Sequence, residues 1–427
     1  ADMSPDGDQA YFADGISEEL LNALAQVSDL AVAGRTSSFA FKGRNEDLRQ
    51  IGEMLSVENI LEGSVRKSGN TIRVTAQLIR ADNGFHVWSA TYDREMDDIF
   101  EVQDEITGAI LEALTPQLLG EVELVAPRTD VTAYDYYLLA RQKAADGRQS
   151  GYREATAALD KALAIDPDYV PALAWRGYFE LMRSDGAGAA GDIPIEEALE
   201  HADAWTARAL ALDPTSADAL FARAGWMSMS FDPGLHEQAE RYYELALEEK
   251  PNFALARNDY AYLLTDQGRM QEANDQLELA LAHDPAVHDA NVNLAANLID
   301  TGQYERAETL LARWKVISPD NLSWRVFDAW LDQIRGDFAE SAMVMEEAAK
   351  IDPSDPRVSY RRAEAWYLLG EFDRAAETPH FGLPVWTLLA QGRGEDAVAL
   401  ARQDLAERPD FPEAMLRYMS ALYVSHD

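Results

Sequence analysis

Cysteine is absent from the 427 residues, which excludes disulfides, a thiol nucleophile and cysteine-ligated zinc. Histidine is sparse. Of seven, only His283 and His288 stand close together, beside Asp284 and Asp289, and residues at a helix turn explain that pair more simply than a transition-metal site. Basic residues are few: 37 Lys and Arg against 75 Asp and Glu give a net charge of −38. Such a surface repels a phosphate backbone, so nucleic acid is not an expected partner. It keeps a large protein soluble and attracts cationic partners. No apolar run reaches the roughly 18 residues that a membrane span requires, so no membrane insertion by this chain is expected. Nothing resembles a signal peptide, and the opening on Ala1 implies a processed, trimmed or partial product. A chain that is 47% hydrophobic and 26% charged reads as folded and soluble.

Catalytic signatures are missing too. "LEGSVRKSGN" contains Gly, Lys and Ser, but it lacks phosphate-loop spacing and reads as a hairpin. There is no G-x-S-x-G and no dinucleotide fingerprint. Asp2, Asp6, Asp8 and Asp14 do not have calcium-loop spacing, and turn-forming aspartates account for them. Carboxylate pairs are too plentiful for any one to be an acid–base dyad. The chain is expected not to be an enzyme, with no catalytic, metal or cofactor residue. Arg66, Lys67 and Arg73 gather in "VRKSGNTIRV", where they face an anionic partner or, more ordinarily, blunt a sheet edge.

What is present is repetition. Pro251, Pro285, Pro319 and Pro353 lie 34 residues apart. Gly268, Gly302 and Gly336 each stand 17 residues before a closing proline. Ala273, Ala307 and Ser341 stand 12 before it, and Ala280, Trp314 and Ala348 five before it. The glycine ends a first helix in a left-handed conformation, small residues let helices approach, and the proline stops the second helix. This period resembles the tetratricopeptide repeat, two antiparallel helices per unit. Extended outward, it predicts an all-α solenoid of about seven repeats over residues 126–427, with insertions at "RSDGAGAAGDIP" and "MSFDPGLH". A break at "TPHFGLP", a shorter helical pair and a capping helix, "FPEAMLRYMSALYV", close the array.

The resemblance implies a concave groove lined by first-helix residues. Asn258, Tyr262, Asp289, Asn293, Trp330, Tyr360 and Tyr367 are its candidate partner-binding residues here. Aromatics with scattered carboxylates suit a protein or peptide ligand with apolar and cationic anchors. Asn293 matches a family asparagine that bonds peptide backbone. Tyr262 and Ala296 stand where a carboxylate clamp would have asparagine, which argues against that binding mode. A homo-oligomer is compatible with such an array.

Residues 1–125 obey other rules and predict an α/β (α+β) domain with a mixed sheet. "GISEELLNALAQV" reads as a helix capped by Ser17, "LAVAGR" as a short strand, and "NEDLRQIGEML" as a second helix. Three strands follow from Asn59 to Glu95, with turns at Ser68-Gly69-Asn70 and Asp82-Asn83-Gly84. Ile72, Val74, Ala76 and Leu78 alternate onto one face, and "IFEVQDEITGAILEAL" closes the unit as a helix. "MSPDGDQAYFADGISEELLNAL", "RTSSFAFKG", "ILEGSVRKSGNTIRVTAQLI", "HVWSATYDRE" and "DIFEVQDEI" together resemble the TolB-like amino-terminal domain, which precedes tetratricopeptide repeats in many bacterial proteins. That family carries an apolar strand just before the "DMSPDGD" loop, so the first strand is missing here. The resemblance implies a bacterial regulatory or sensory module, often downstream of a class III nucleotide cyclase or a winged-helix DNA-binding domain. It implies a periplasmic location if a membrane span precedes the module, and a cytoplasmic one otherwise. A free-standing periplasmic assembly scaffold is the alternative.

Overall fold

The computed structural model describes residues 2–4, 9–25, 30, 32–44, 47–68, 70–114, 129–145, 147–185, 191–376, 385, 388–389 and 391–407. Two compact units, Ala1–Asn291 and Val292–Asp427, divide the chain.

In the first unit, α1 (Ala10–Ala25), α2 (Arg35–Ala40) and α3 (Leu48–Leu55) lead into β1 (Asn59–Ser68), β2 (Thr71–Arg80) and β3 (His86–Glu95), and α4 (Ile99–Leu114) closes the sequence. The strands form an antiparallel sheet in the order β1-β2-β3. Val74 sits between Val65 and Tyr92. Ile72, Val74, Ala76 and Leu78 are buried, as their alternation predicts. The opposite face is polar: Arg73 pairs with Asp93 across the strands, and Thr75 meets Thr91. An isolated parallel bridge joins Asp2 to Val65 of β1.

Two local expectations are corrected. Ser17 is not a cap, because α1 begins seven residues earlier at Ala10, and its hydroxyl donates to the Ala13 carbonyl one turn back. "LAVAGR" forms no strand among its described residues. Its Gly34 amide is drawn away to the His283 carbonyl, and Arg35 already starts α2. Of the four aspartates expected to form turns, Asp2 does so, accepting from the Ser4 and Gln9 amides. Asp14 instead lies within α1 and pairs with Lys42, and Asp6 and Asp8 lie outside the described residues. The basic trio is consumed internally. Arg66 donates to the Met3 carbonyl, Lys67 pairs with Asp135, and Arg73 is the partner of Asp93.

Among the described residues four helix pairs follow in this unit: α5 (Val131–Ala144) with α6 (Gln149–Ile165), α7 (Val170–Met182) with α8 (Ile195–Leu212), α9 (Ala217–Ser228) with α10 (His236–Glu249), and α11 (Ala254–Asp266) with α12 (Met270–His283). The insertion between α7 and α8 is closed at its base by a Ser184–Ile193 bridge. There Asp192 takes both Arg153 and Arg183.

Helix α13 (His288–Asp300) runs across the division between the units. The second unit continues with α14 (Tyr304–Ile317), α15 (Leu322–Arg335), α16 (Phe338–Ile351), α17 (Pro356–Leu368), α18 (Phe372–Ala376) and α19 (Gly394–Glu407). Gly336 ends α15 at φ 88° and frees its amide for the Asp332 and Gln333 carbonyls. The small positions are fully buried, as expected: Ala273, Ala280, Ala307, Ser341 and Ala348 are at 0% exposure, and Trp314 is at 1%. The expected capping helix at "FPEAMLRYMSALYV" lies outside the described residues.

Candidate functional site

The first-helix residues divide between the two units. In the first unit, Asn258 is buried and donates to Asp259 at 3.2 Å. Asp259 also accepts from the Tyr178 hydroxyl of α7 at 3.0 Å. Burial, with nearby Asp289 acting in the same direction, pushes the Asp259 carboxyl up to about 7 against these two hydrogen bonds. Asn258 therefore serves the core more than the surface. Asp289 is exposed. Tyr262, one turn beyond Asn258, is 47% exposed and offers a ring for contact.

In the second unit, Trp330 of α15 and Tyr360 of α17 come together through Arg361. Its guanidinium stands 4.6 Å from the Trp330 ring and 5.4 Å from the Tyr360 ring. It is held there by the Gln333 and Glu364 side chains at 3.1 and 2.8 Å, and the Tyr360 hydroxyl donates to Glu364. Both aromatic residues remain half-buried rather than sealed. Asp328 and Asp332, also on α15, are half-buried. Burial raises both carboxyls, and Asp332 reaches about 6 with Asp328, Glu340 and Asp337 adding repulsion. Asn293 is half-buried on α13. Tyr367 does not join the cluster; it packs on Phe372 of α18 at 5.5 Å, a contact inside its own helix pair.

Sequence reasoning missed Tyr178, Asp259 and Arg361. An arginine in "SYRRAE" looks like any solvated helix charge, and Tyr178 lies 81 residues from its carboxylate partner.

Among the described residues, no group of three or more His, Cys, Asp or Glu could hold a metal ion, and no helix is long and apolar enough to cross a membrane.

A tetratricopeptide repeat family model matches residues 264–325, and a second matches 334–378. The chain contains tetratricopeptide repeats. The protein named "Putative adenylate cyclase 3" of Rhizobium meliloti (strain 1021) is 44% identical over 168 residues, 39% of this chain and 29% of that protein. The match thus spans under a third of the relative's length. Among solved structures, a tetratricopeptide repeat protein from Parabacteroides merdae is similar over 53% of this chain and 93% of its own, at 18% identity and a TM-score of 0.43. PilF of Pseudomonas aeruginosa is similar over 60% of this chain and 96% of its own, at 18% identity and a TM-score of 0.42.

Proposed function

We propose that this chain is a non-catalytic protein-interaction module that binds a polypeptide along the first helices of its tetratricopeptide repeats. The observation that carries this reading is the Trp330–Arg361–Tyr360 cluster. It offers half-buried rings from the first helices of two successive repeats, with Asp328 and Asp332 on α15 supplying carboxylates for a cationic anchor. Large amphipathic rings in partly desolvated settings are where interface energy concentrates. The matched family models describe repeat modules, and repeats of this kind present extended binding surfaces.

A peptide selected against the intact chain from a displayed library, then titrated by fluorescence anisotropy, tests the reading. Trp330→Ala should weaken binding by at least about 2 kcal/mol, roughly 30-fold. Combined with Tyr360→Ala, its neighbour across Arg361, it should abolish binding while far-ultraviolet circular dichroism stays unchanged. Undiminished affinity in the double variant would place the site elsewhere.

Similarity to a protein named as an adenylate cyclase favours a signalling setting, in which this chain is the sensory segment of a longer nucleotide cyclase. With it stands the likeness of the first third to TolB-like domains. Cyclic nucleotide formation by the full-length gene product, altered when Trp330 is replaced, is the expected outcome. A product without cyclase activity would remove this setting and leave the binding reading intact.

A further inference from the structure

The inter-repeat turns share an Asp-Pro or similar step, and the aspartate ordinarily closes the turn on itself. Asp166 accepts from the Asp168 amide at 3.1 Å, Asp213 from Thr215 at 3.0 Å and Asp352 from Ser354 at 2.8 Å. Asp284 departs from this pattern. Its buried carboxylate accepts instead from the Thr36 amide at 2.8 Å, the Ser37 amide at 2.6 Å and the Ser37 hydroxyl at 2.5 Å. The Ala286 amide, which should close the turn, donates to that same Ser37 hydroxyl at 2.8 Å. Ser37 is thus inserted into the turn as a bridging group. The Gly34 amide adds a bond to the His283 carbonyl, and a β-carbon on Gly34 would lie 2.2 Å from that of Asp284. The turn is shaped to receive Gly34-Arg35-Thr36-Ser37.

Arg35, in the same segment, extends the contact the other way. It pairs with buried Glu18 of α1 at 2.8 Å, and Glu18 pairs with Arg141 of α5 at 2.7 Å. The Arg141 guanidinium stacks 3.6 Å from the Trp175 ring of α7. Along α1 a stripe spaced by four and three residues reads α5 in register. Tyr11 donates to Asp135 at 2.9 Å, Gly15 lies where a β-carbon would come within 2.5 Å of Leu138, and Glu18 meets Arg141. The other side of α1, with Phe12, Ile16 and Leu20, is buried as core. One four-residue segment therefore ties the fourth inter-repeat turn to the helix that covers the first helix of repeat one.

We infer that Gly34–Ser37 is an internal latch that closes the first-helix face of repeat one under α1, and that releasing it frees this face for an acidic helix carrying the same stripe. The inference deepens the proposed function and rests on the reading of first-helix faces as polypeptide-binding surfaces. The latch is polar, centred on one carboxylate and one hydroxyl, so its own bonds open first, and the apolar contacts of Phe12, Ile16 and Leu20 are given up only as α1 leaves the face. The occupant is defined by α1: a small residue over Leu138 and a carboxylate on Arg141.

The test uses the full chain, with Ser37→Ala as the mild variant and Gly34→Ala as the steric one. Amide exchange is followed at residues 10–25, 34–40 and 284–286. A labelled synthetic peptide of residues 10–25 is titrated alongside, with its Gly15→Leu form as control. Latch opening should raise exchange in all three segments by at least tenfold in each variant. The variants should bind the peptide at least tenfold tighter than wild type and should ignore the Gly15→Leu form. Unchanged exchange at residues 10–25 in Ser37→Ala would overturn the latch, whatever Gly34→Ala does to folding. Raised exchange without peptide binding would overturn the freed binding face while leaving the Trp330 surface unaffected.

Discussion

Asp259 shows how much one residue depends on its surroundings. A carboxyl held at about 7 in the folded protein, against an ordinary value near 4, binds its proton more tightly folded than unfolded. Its contribution to stability is complete below about pH 4 and is lost as pH rises through about 7. Asp259→Asn keeps an acceptor for the Tyr178 hydroxyl and cannot ionise. Its thermal midpoint should equal that of wild type near pH 4 and exceed it by several degrees above pH 7. A constant difference across that range would mean that Asp259 titrates normally. Nothing in "ARNDYAY" singles out this aspartate, because the tyrosine that helps enclose it comes from another repeat. The glycines are the opposite case. Gly268, Gly302 and Gly336 take positive φ, as their spacing alone predicts, because the end of a first helix requires that conformation locally.

At the scale of elements, Trp314 separates pattern from packing. It occupies the place held by Ala280 and Ala348 in neighbouring repeats, yet it is 1% exposed. Trp314→Ala should destabilise the second unit by about 3 kcal/mol or more, because it leaves a cavity the neighbours cannot fill. Urea titration monitored by circular dichroism measures the loss, and a cost under about 1 kcal/mol would mean the site collapses. Among the described residues the helical repeats, the antiparallel strands and the buried face of β2 were legible because periodicity is a local property. The starts of α1 and α2 were not. In α1 the helix extends back through Ala10–Ile16, whose Phe12, Ala13 and Ile16 are buried, and Ser17 imitates a cap only when that burial is unseen. In α2, a segment that reads as a strand end is fixed by a turn almost 250 residues away.

For the whole molecule, net charge is the property that acts on every part at once. At −38 the folded chain repels itself, and exposed ion pairs recover little of that. Raising sodium chloride to about 0.5 M shortens the screening length to well under 10 Å. The thermal midpoint should therefore rise, while affinity for a cationic peptide falls. A midpoint that drops with salt would show that paired charges outweigh the self-repulsion.

The sequence by itself determined the repeat period, the residue types at its small and left-handed positions, the antiparallel hairpins and the acidic surface. Each follows from the chemistry of a few neighbouring residues. Tertiary structure alone decided which first-helix aromatics stay accessible, that Arg361 joins Trp330 to Tyr360, and that Asp284 turns away from its own turn to hold Ser37. Those outcomes depend on burial and on partners far along the chain. Burial also sets the energy of a charge or a hydroxyl, and no local pattern encodes it.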